Sequence, residues 1–172
     1  KRAESDALSN QRKLDSLMSN LPGIAFRRGK DPEKSMQFMS RMSLAITGYT
    51  PDEIIDNEGA DYNQLIHPQC REKVRSLIDI SLENRVPYEL EYRLHSRHQG
   101  IRWVMEKGNG IWNKDDTLEA IEGFITDVTN LKNTTRVLSL RENELRETQR
   151  IAELGSWSFD AENHEMHWSE EL

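Results

Sequence analysis

Few side chains in this sequence have types and spacing suited to chemistry. Cys70 lies three residues after His67, a spacing that suits a metal pair or a reactive thiol; at a helix start the same cysteine is a plain surface residue. His67 precedes Pro68, which suits a turn. His164 and His167 flank Glu165 and Met166. A helical zinc pair needs histidines at i and i+4, and on a strand residues three apart face opposite sides, so this grouping reads as chance. Asp115-Asp116 and Glu170-Glu171 read as turn or solvated carboxylates. No Ser/His/Asp set, phosphate-cradling glycine loop, kinase histidine box or GGDEF string is present, so no catalytic residue and no metal site are assigned.

The elements that would position any site follow from periodicity. Residues 1–20 read as an N-terminal linker helix, with Leu14, Leu17, Met18 and Leu21 at helical spacing before Pro22-Gly23. Ile24 to Phe26 and Met36 to Ser40 read as short strands around a turn. Ser43 to Thr47 forms a short helix ended by Gly48. Thr50, Pro51 and Glu53 then have the form of a capping box with proline at the first helical position. Pro68 to Asn84 is the clearest helix, with Val74, Leu77, Ile78 and Leu82 on one face.

After Pro87 the period changes to two. Tyr88, Leu90, Tyr92 and Leu94 alternate with Glu89, Glu91, Arg93 and His95. Two more strands, Ile101 to Asn113 and Leu118 to Val128, complete a meander. Strands grouped apart from helices predict an α+β fold with an antiparallel sheet. A trailing helix over 130–153 carries Leu131, Leu138 and Leu145 in a heptad stripe whose second seam position is polar.

The chain has 172 residues, 35% hydrophobic and 31% charged, with a net charge of −7. That is enough for one good core. The negative charge, without a Lys/Arg stripe, makes nucleic acid a poor partner. No apolar run reaches membrane-spanning length, so no membrane contact is expected within this segment. A single cysteine excludes a disulfide framework and fits a reducing, cytoplasmic location, although a parent protein could be membrane-anchored. The first residue is Lys1 and no leader pattern follows, which reads as a segment of a longer chain.

Four motifs occur in a telling order: LAITGYTPDEI (Leu44 to Ile54), LIHPQCREKV (Leu65 to Val74), YELEYRLHSRHQGIRWV (Tyr88 to Val104) and IEGFITDVT (Ile121 to Thr129). Together they resemble the PAS family with its C-terminal PAC half, over about Leu21 to Asn130. LPGIAF (Leu21 to Phe26) also resembles LGSWSF (Leu154 to Phe159), and FMS (Phe38 to Ser40) resembles HWS (His167 to Ser169). A repeat at about one domain length reads as tandem domains, with 154–172 the truncated start of a second copy.

The resemblance implies a PAS fold over 21–129: about five antiparallel strands with small helices on one face, flanked by N- and C-terminal amphipathic helices. It implies a sensory module within a bacterial signalling protein such as a histidine kinase or diguanylate cyclase. That module would bind a small ligand or partner and relay a signal to an output domain elsewhere in the polypeptide. The implied pocket is the core itself. Phe26, Phe38, Leu44, Leu65 and Leu77 would line it from the first strands and the helices. Tyr88, Leu90, Tyr92, Val104, Gly123 and Ile125 would line it from the meander.

Gly108, Gly110 and Gly123 fall inside strands, a hint of close approach by backbone or ligand. Asp127 and Thr129 would relay a signal by capping the trailing helix. Leu14, Leu17, Met18, Leu21, Leu131, Leu138 and Leu145 would form the seam of a homodimer. No cofactor is predicted. PQCREKV does not match the NCRFLQ-like run of light-sensing relatives, and the long helix carries no histidine for haem. Two competing readings stay open: a ligand-free dimerisation and spacer module, and a haem or flavin sensor.

Overall fold

In the computed structural model, residues 21–29, 36–56, 59–151, 157–160 and 162–168 are described. The chain divides into two units, Lys1–Thr129 and Asn130–Leu172. The first unit begins with strands β1 (Ile24–Gly29) and β2 (Met36–Met39). Four helices follow: α1 (Met42–Thr47), α2 (Pro51–Ile55), α3 (Tyr62–Leu65) and α4 (Pro68–Glu83). The meander β3 (Tyr88–Ser96), β4 (Gly100–Trp112) and β5 (Leu118–Asp127) ends the unit.

The five strands form one antiparallel sheet in the order β2-β1-β5-β4-β3. Pairing of β1 with β5 ties the start of the domain to its end. The α+β architecture expected from the grouping of strands and helices is the one observed. Strand alternation is clearest in β3, where Tyr88, Leu90, Tyr92 and Leu94 are buried and Glu89, Glu91 and His95 are exposed.

Helix boundaries follow their local chemistry. The capping box read at Thr50 is formed: the Glu53 N–H donates to the Thr50 hydroxyl, and the Glu53 carboxylate accepts the Thr50 N–H at 2.8 Å. Gly48 ends α1 with φ +82°, a left-handed conformation suited to glycine. His67 is more than a turn residue. It is the N-cap of α4, its Nδ1 accepts the Gln69 N–H, and its ring stacks on His95 at 5.1 Å.

Inward-facing residues line up across the sheet in register. Ile24 pairs with Ile125, Phe26 with Gly123 and Arg28 with Ile121. Ile125 in turn pairs with Glu106, and Gly123 with Gly108. Leu90 pairs with Glu106 and Tyr88 with Gly108 on the far side. The helices contribute Ile46, Ile54, Tyr62, Val74 and Ile78 to the same core.

In the second unit, α5 (Thr129–Ile151) continues from the last residue of the first, and β6 (Trp157–Asp160) pairs antiparallel with β7 (Glu165–Trp168). Trp157 pairs with Trp168 and Phe159 with Met166, and all four side chains are exposed. Leu131, Leu138 and Leu145 are exposed on α5. Leu14, Leu17 and Met18 of the expected leading helix lie outside the described residues. Leu21 sits in a bend and is 43% exposed. Among the described residues, no helix is long and apolar enough to cross a membrane.

Candidate functional site

The most unusual feature of the core is a buried polar cluster. Glu106 on β4 has no exposed surface. The Tyr88 hydroxyl donates to its Oε1 at 2.7 Å and the Tyr92 hydroxyl to its Oε2 at 2.5 Å. The hydroxyl of Tyr62, from α3, lies 2.8 Å from that of Tyr92. Because Tyr92 spends its one proton on Glu106, Tyr62 is the donor in that contact. Burial, then the nearby Glu106 carboxylate, pushes the Tyr62, Tyr88 and Tyr92 hydroxyls well above the ordinary tyrosine range.

Arg28 on β1 supplies the opposite charge. Its side chain is 10% exposed, and its Nη2 lies 3.6 Å from Glu106 Oε1. That is an ion pair but too long for a hydrogen bond. Its guanidinium carbon also lies 5.4 Å from the Phe26 ring centre and 6.0 Å from that of Tyr62. Burial works against the Arg28 charge, and Glu106 together with Tyr88, Tyr92 and Tyr62 more than offsets it. Among the described residues, nothing accepts a hydrogen bond from Arg28 Nε or Nη2.

Space for this cluster comes from glycines. A Cβ on Gly108 would lie 2.6 Å from the Tyr88 ring and hydroxyl, and one on Gly123 would lie 2.8 Å from the Phe26 ring. The strand glycines therefore mark close approach by neighbouring side chains and, at Gly123, by the Lys107 carbonyl. Beside the cluster, between α4 and strands β1 and β5, is a cavity of about 420 Å³. Arg28, Val74, Ile78, Leu118 and Ile121 line it, and Arg71 stands among its polar groups. This volume lies within the range that holds small-molecule ligands.

At the strand-to-helix joint Asp127 bonds the first turn of α5, and Thr129 bonds back to β4. Asp127 accepts the Thr129 N–H at 2.8 Å, a carboxylate bonding the backbone two residues on. Thr129 does not cap the helix with its hydroxyl. That group accepts the Trp103 N–H on β4 at 2.9 Å, while the Val128 N–H donates to the Trp103 carbonyl at 2.8 Å. Arg102 Nη1 lies 3.5 Å from the Asp127 carboxylate.

Of the residues expected to line a pocket, Phe26, Leu65, Tyr88, Leu90, Tyr92, Val104 and Ile125 are buried in the core, and Gly123 lies against Phe26. Three are not in the core. Phe38 is 39% exposed because it pairs with outward-facing Arg27, while Met39 faces inward beside Phe26; the register shift between Arg27 and Arg28 turns Met36 inward as well. Leu44 is 53% exposed because α1 buries Ser43, Ile46 and Thr47 instead. Leu77 is 40% exposed, since α4 buries Val74, Ile78 and Ser81. Cys70, read as a surface residue, is half-buried against the core.

Arg28, Tyr62 and Glu106 are functional candidates that only the structure brings together. The available signal was phase: Arg28 continues the inward positions of Ile24 and Phe26, and Glu106 those of Val104 and Gly108.

Comparison with known proteins gives a consistent picture. The family model described as "PAS fold" matches residues 37–125, just over half of the chain. A sensory box histidine kinase/response regulator from Burkholderia thailandensis is 28% identical. The match covers 78% of this chain and 98% of that one, with a TM-score of 0.60. The N-terminal domain of a diguanylate cyclase with PAS/PAC sensor from Marinobacter aquaeolei is 19% identical. It matches over 64% of this chain and 98% of its own, with a TM-score of 0.56, and shares the fold. A methyl sulfide methyltransferase-associated sensor of Methanosarcina acetivorans is 24% identical over 142 residues, 82% of this chain. The chain spans 13% and 14% of the length of the first two curated relatives it matches.

Proposed function

The chain belongs to the PAS fold family, and on that premise we propose that residues 21–129 sense a small molecule held in the cleft between α4 and strands β1 and β5. The observation that carries this reading is the cavity of about 420 Å³, with an apolar wall and the buried Arg28 among its lining. A site of that size and lining suits a small ligand rather than a macromolecule. The module senses and relays; catalysis belongs to an output domain elsewhere in the parent polypeptide.

The path out of the site runs along β5. Ile121 lines the cavity, and six residues later Asp127 holds the joint to α5. A ligand that shifts β5 changes the geometry of Asp127, Thr129 and Trp103 together. The exposed stripe Leu131, Leu138 and Leu145 suits parallel pairing of α5 with a second copy, weak enough to rearrange. The competing reading is a spacer whose cavity never holds a ligand.

Denaturing the purified domain and analysing the released small molecules by mass spectrometry separates the two. A molecule recovered near one per domain supports sensing. Repeated recovery of none, from protein expressed in several hosts, supports the spacer.

A further inference from the structure

The chemistry of the cavity narrows the class of ligand. We infer that it takes a small aliphatic carboxylate, with the carboxylate set against Arg28 and the carbon chain against α4 and β5. This rests on the sensing role proposed above and specifies its ligand.

Arg28 has hydrogen-bonding capacity left over. A buried guanidinium that leaves donors unused is costly, because each buried N–H without an acceptor carries its full desolvation penalty. Arg28 has two such groups, Nε and Nη2. Those two nitrogens form one edge of the guanidinium fork, the edge that binds a carboxylate through two parallel hydrogen bonds. The rings of Phe26 and Tyr62 answer part of the charge but offer no acceptor along that edge. Glu106 does not satisfy that edge, since its Oε1 is 3.6 Å from Nη2, too long for a hydrogen bond, and its oxygens accept the Tyr88 and Tyr92 hydroxyls.

The cavity is also net positive. The ionic groups lining the cavity are Arg28, Arg71, Arg75 and Asp79. Arg75 and Asp79 pair with each other at 3.9 Å on the exposed side, and Glu106, 3.6 Å from Nη2, balances the Arg28 charge. Arg71 donates to the carbonyls of Ile66 and Gln64, which hold it in place without neutralising it. One positive charge is left over, which matches a monoanion and disfavours a cation.

Val74, Ile78, Leu82, Leu118 and Ile121 give the cavity a branched aliphatic wall. Such a wall favours an alkyl body.

The test uses the whole chain and a panel of straight-chain monocarboxylates of about four to eight carbons, a range sized to a small cavity. Each acid is paired with its uncharged primary amide, and binding is followed by calorimetry and by thermal shift. The expected result is that at least one acid binds ten-fold or more tighter than its amide. That preference should disappear in the double variant Arg28→Met/Glu106→Gln, which removes both buried charges together and so avoids stranding one. Equal binding of acid and amide overturns the inference while leaving a ligand-binding cavity intact. Binding of amides alone, or of no acid in the panel, also overturns it. Recovery of an uncharged or cationic molecule from purified protein would overturn the ligand class but support the sensing role. Recovery of no molecule at all, with no binding, would count against both.

Discussion

Arg28 and Glu106 stand 3.6 Å apart although their strands are not neighbours, since β5 runs between β1 and β4. The register explains how they meet. Arg28 is level with Ile121 and Glu106 with Ile125, and between those two positions on β5 is Gly123, paired with Gly108. At that level neither β5 nor β4 has a side chain to obstruct the approach. Removing one partner of such a pair leaves a buried charge uncompensated, whereas removing both does not. Glu106→Gln is therefore expected to destabilise the domain by about 3 kcal/mol. Arg28→Met/Glu106→Gln should recover much of that loss. Urea unfolding of the single and double variants measures both.

Gly108 is expected to be intolerant of even one methyl group. Its added Cβ would fall 2.6 Å from the Tyr88 ring and hydroxyl, and Tyr88 is held by Glu106. Gly108→Ala should cost about 1–3 kcal/mol through overpacking. It should also disturb the tyrosine cluster, seen as changed tyrosine signals in near-ultraviolet circular dichroism.

The tyrosines predict the alkaline limit of stability. The hydroxyls of Tyr62, Tyr88 and Tyr92 titrate higher in the folded domain than the ordinary value of 10.0. A raised folded value means the stabilisation is complete below the unfolded value and is lost as pH rises past it. The domain should lose stability progressively above about pH 10, the unfolded tyrosine value. Tyrosinate absorbance for these three should then rise together with unfolding. Gradual ionisation of all three in the folded state would contradict this.

The joint is predicted to be locally cooperative. Asp127→Ala removes the acceptor for the Thr129 N–H and should cost about 1 kcal/mol, the ordinary worth of such a bond. Amide exchange should quicken at Thr129, and also at Trp103 and Val128, which share the joint. If the joint relays a signal, the same variant should keep the domain folded yet uncouple it from output in the parent protein. Wild-type signalling in Asp127→Ala would reduce the joint to a structural turn.

Self-association is predicted through α5. Sedimentation should show a concentration-dependent dimer, and Leu138→Asp should weaken it. A monomer at high concentration, unchanged by that substitution, would contradict the pairing.

The parts of the fold legible in sequence were those set by local pattern. The alternation from Tyr88 to Leu94 exposed β3, and Thr50 with Glu53 exposed the start of α2, because one face or one cap decides each. Phe38 faces outward with Arg27 although Met36, two residues before it, faces inward; the register shift between them breaks the period of two, and nothing local signals it. Leu77 was misread because a partly apolar helix offers two neighbouring faces, and only the sheet selects between them. The polar centre was the least legible. Arg28 and Glu106 violate the hydropathy rule separately and satisfy each other only across an intervening strand. The inward phase of both is visible in sequence, but their pairing depends on the β1–β5 register.

The central claim is that an occupied cavity is coupled to the joint at Thr129. It is tested most directly by mapping amide hydrogen exchange on the domain as purified, and again after unfolding, dialysis and refolding to remove any bound small molecule. The account predicts that the stripped protein loses protection across α4 and β5 and also at Trp103, Val128 and Thr129, and regains it when the extracted molecule is returned. Two exchange maps that coincide throughout the domain would contradict it.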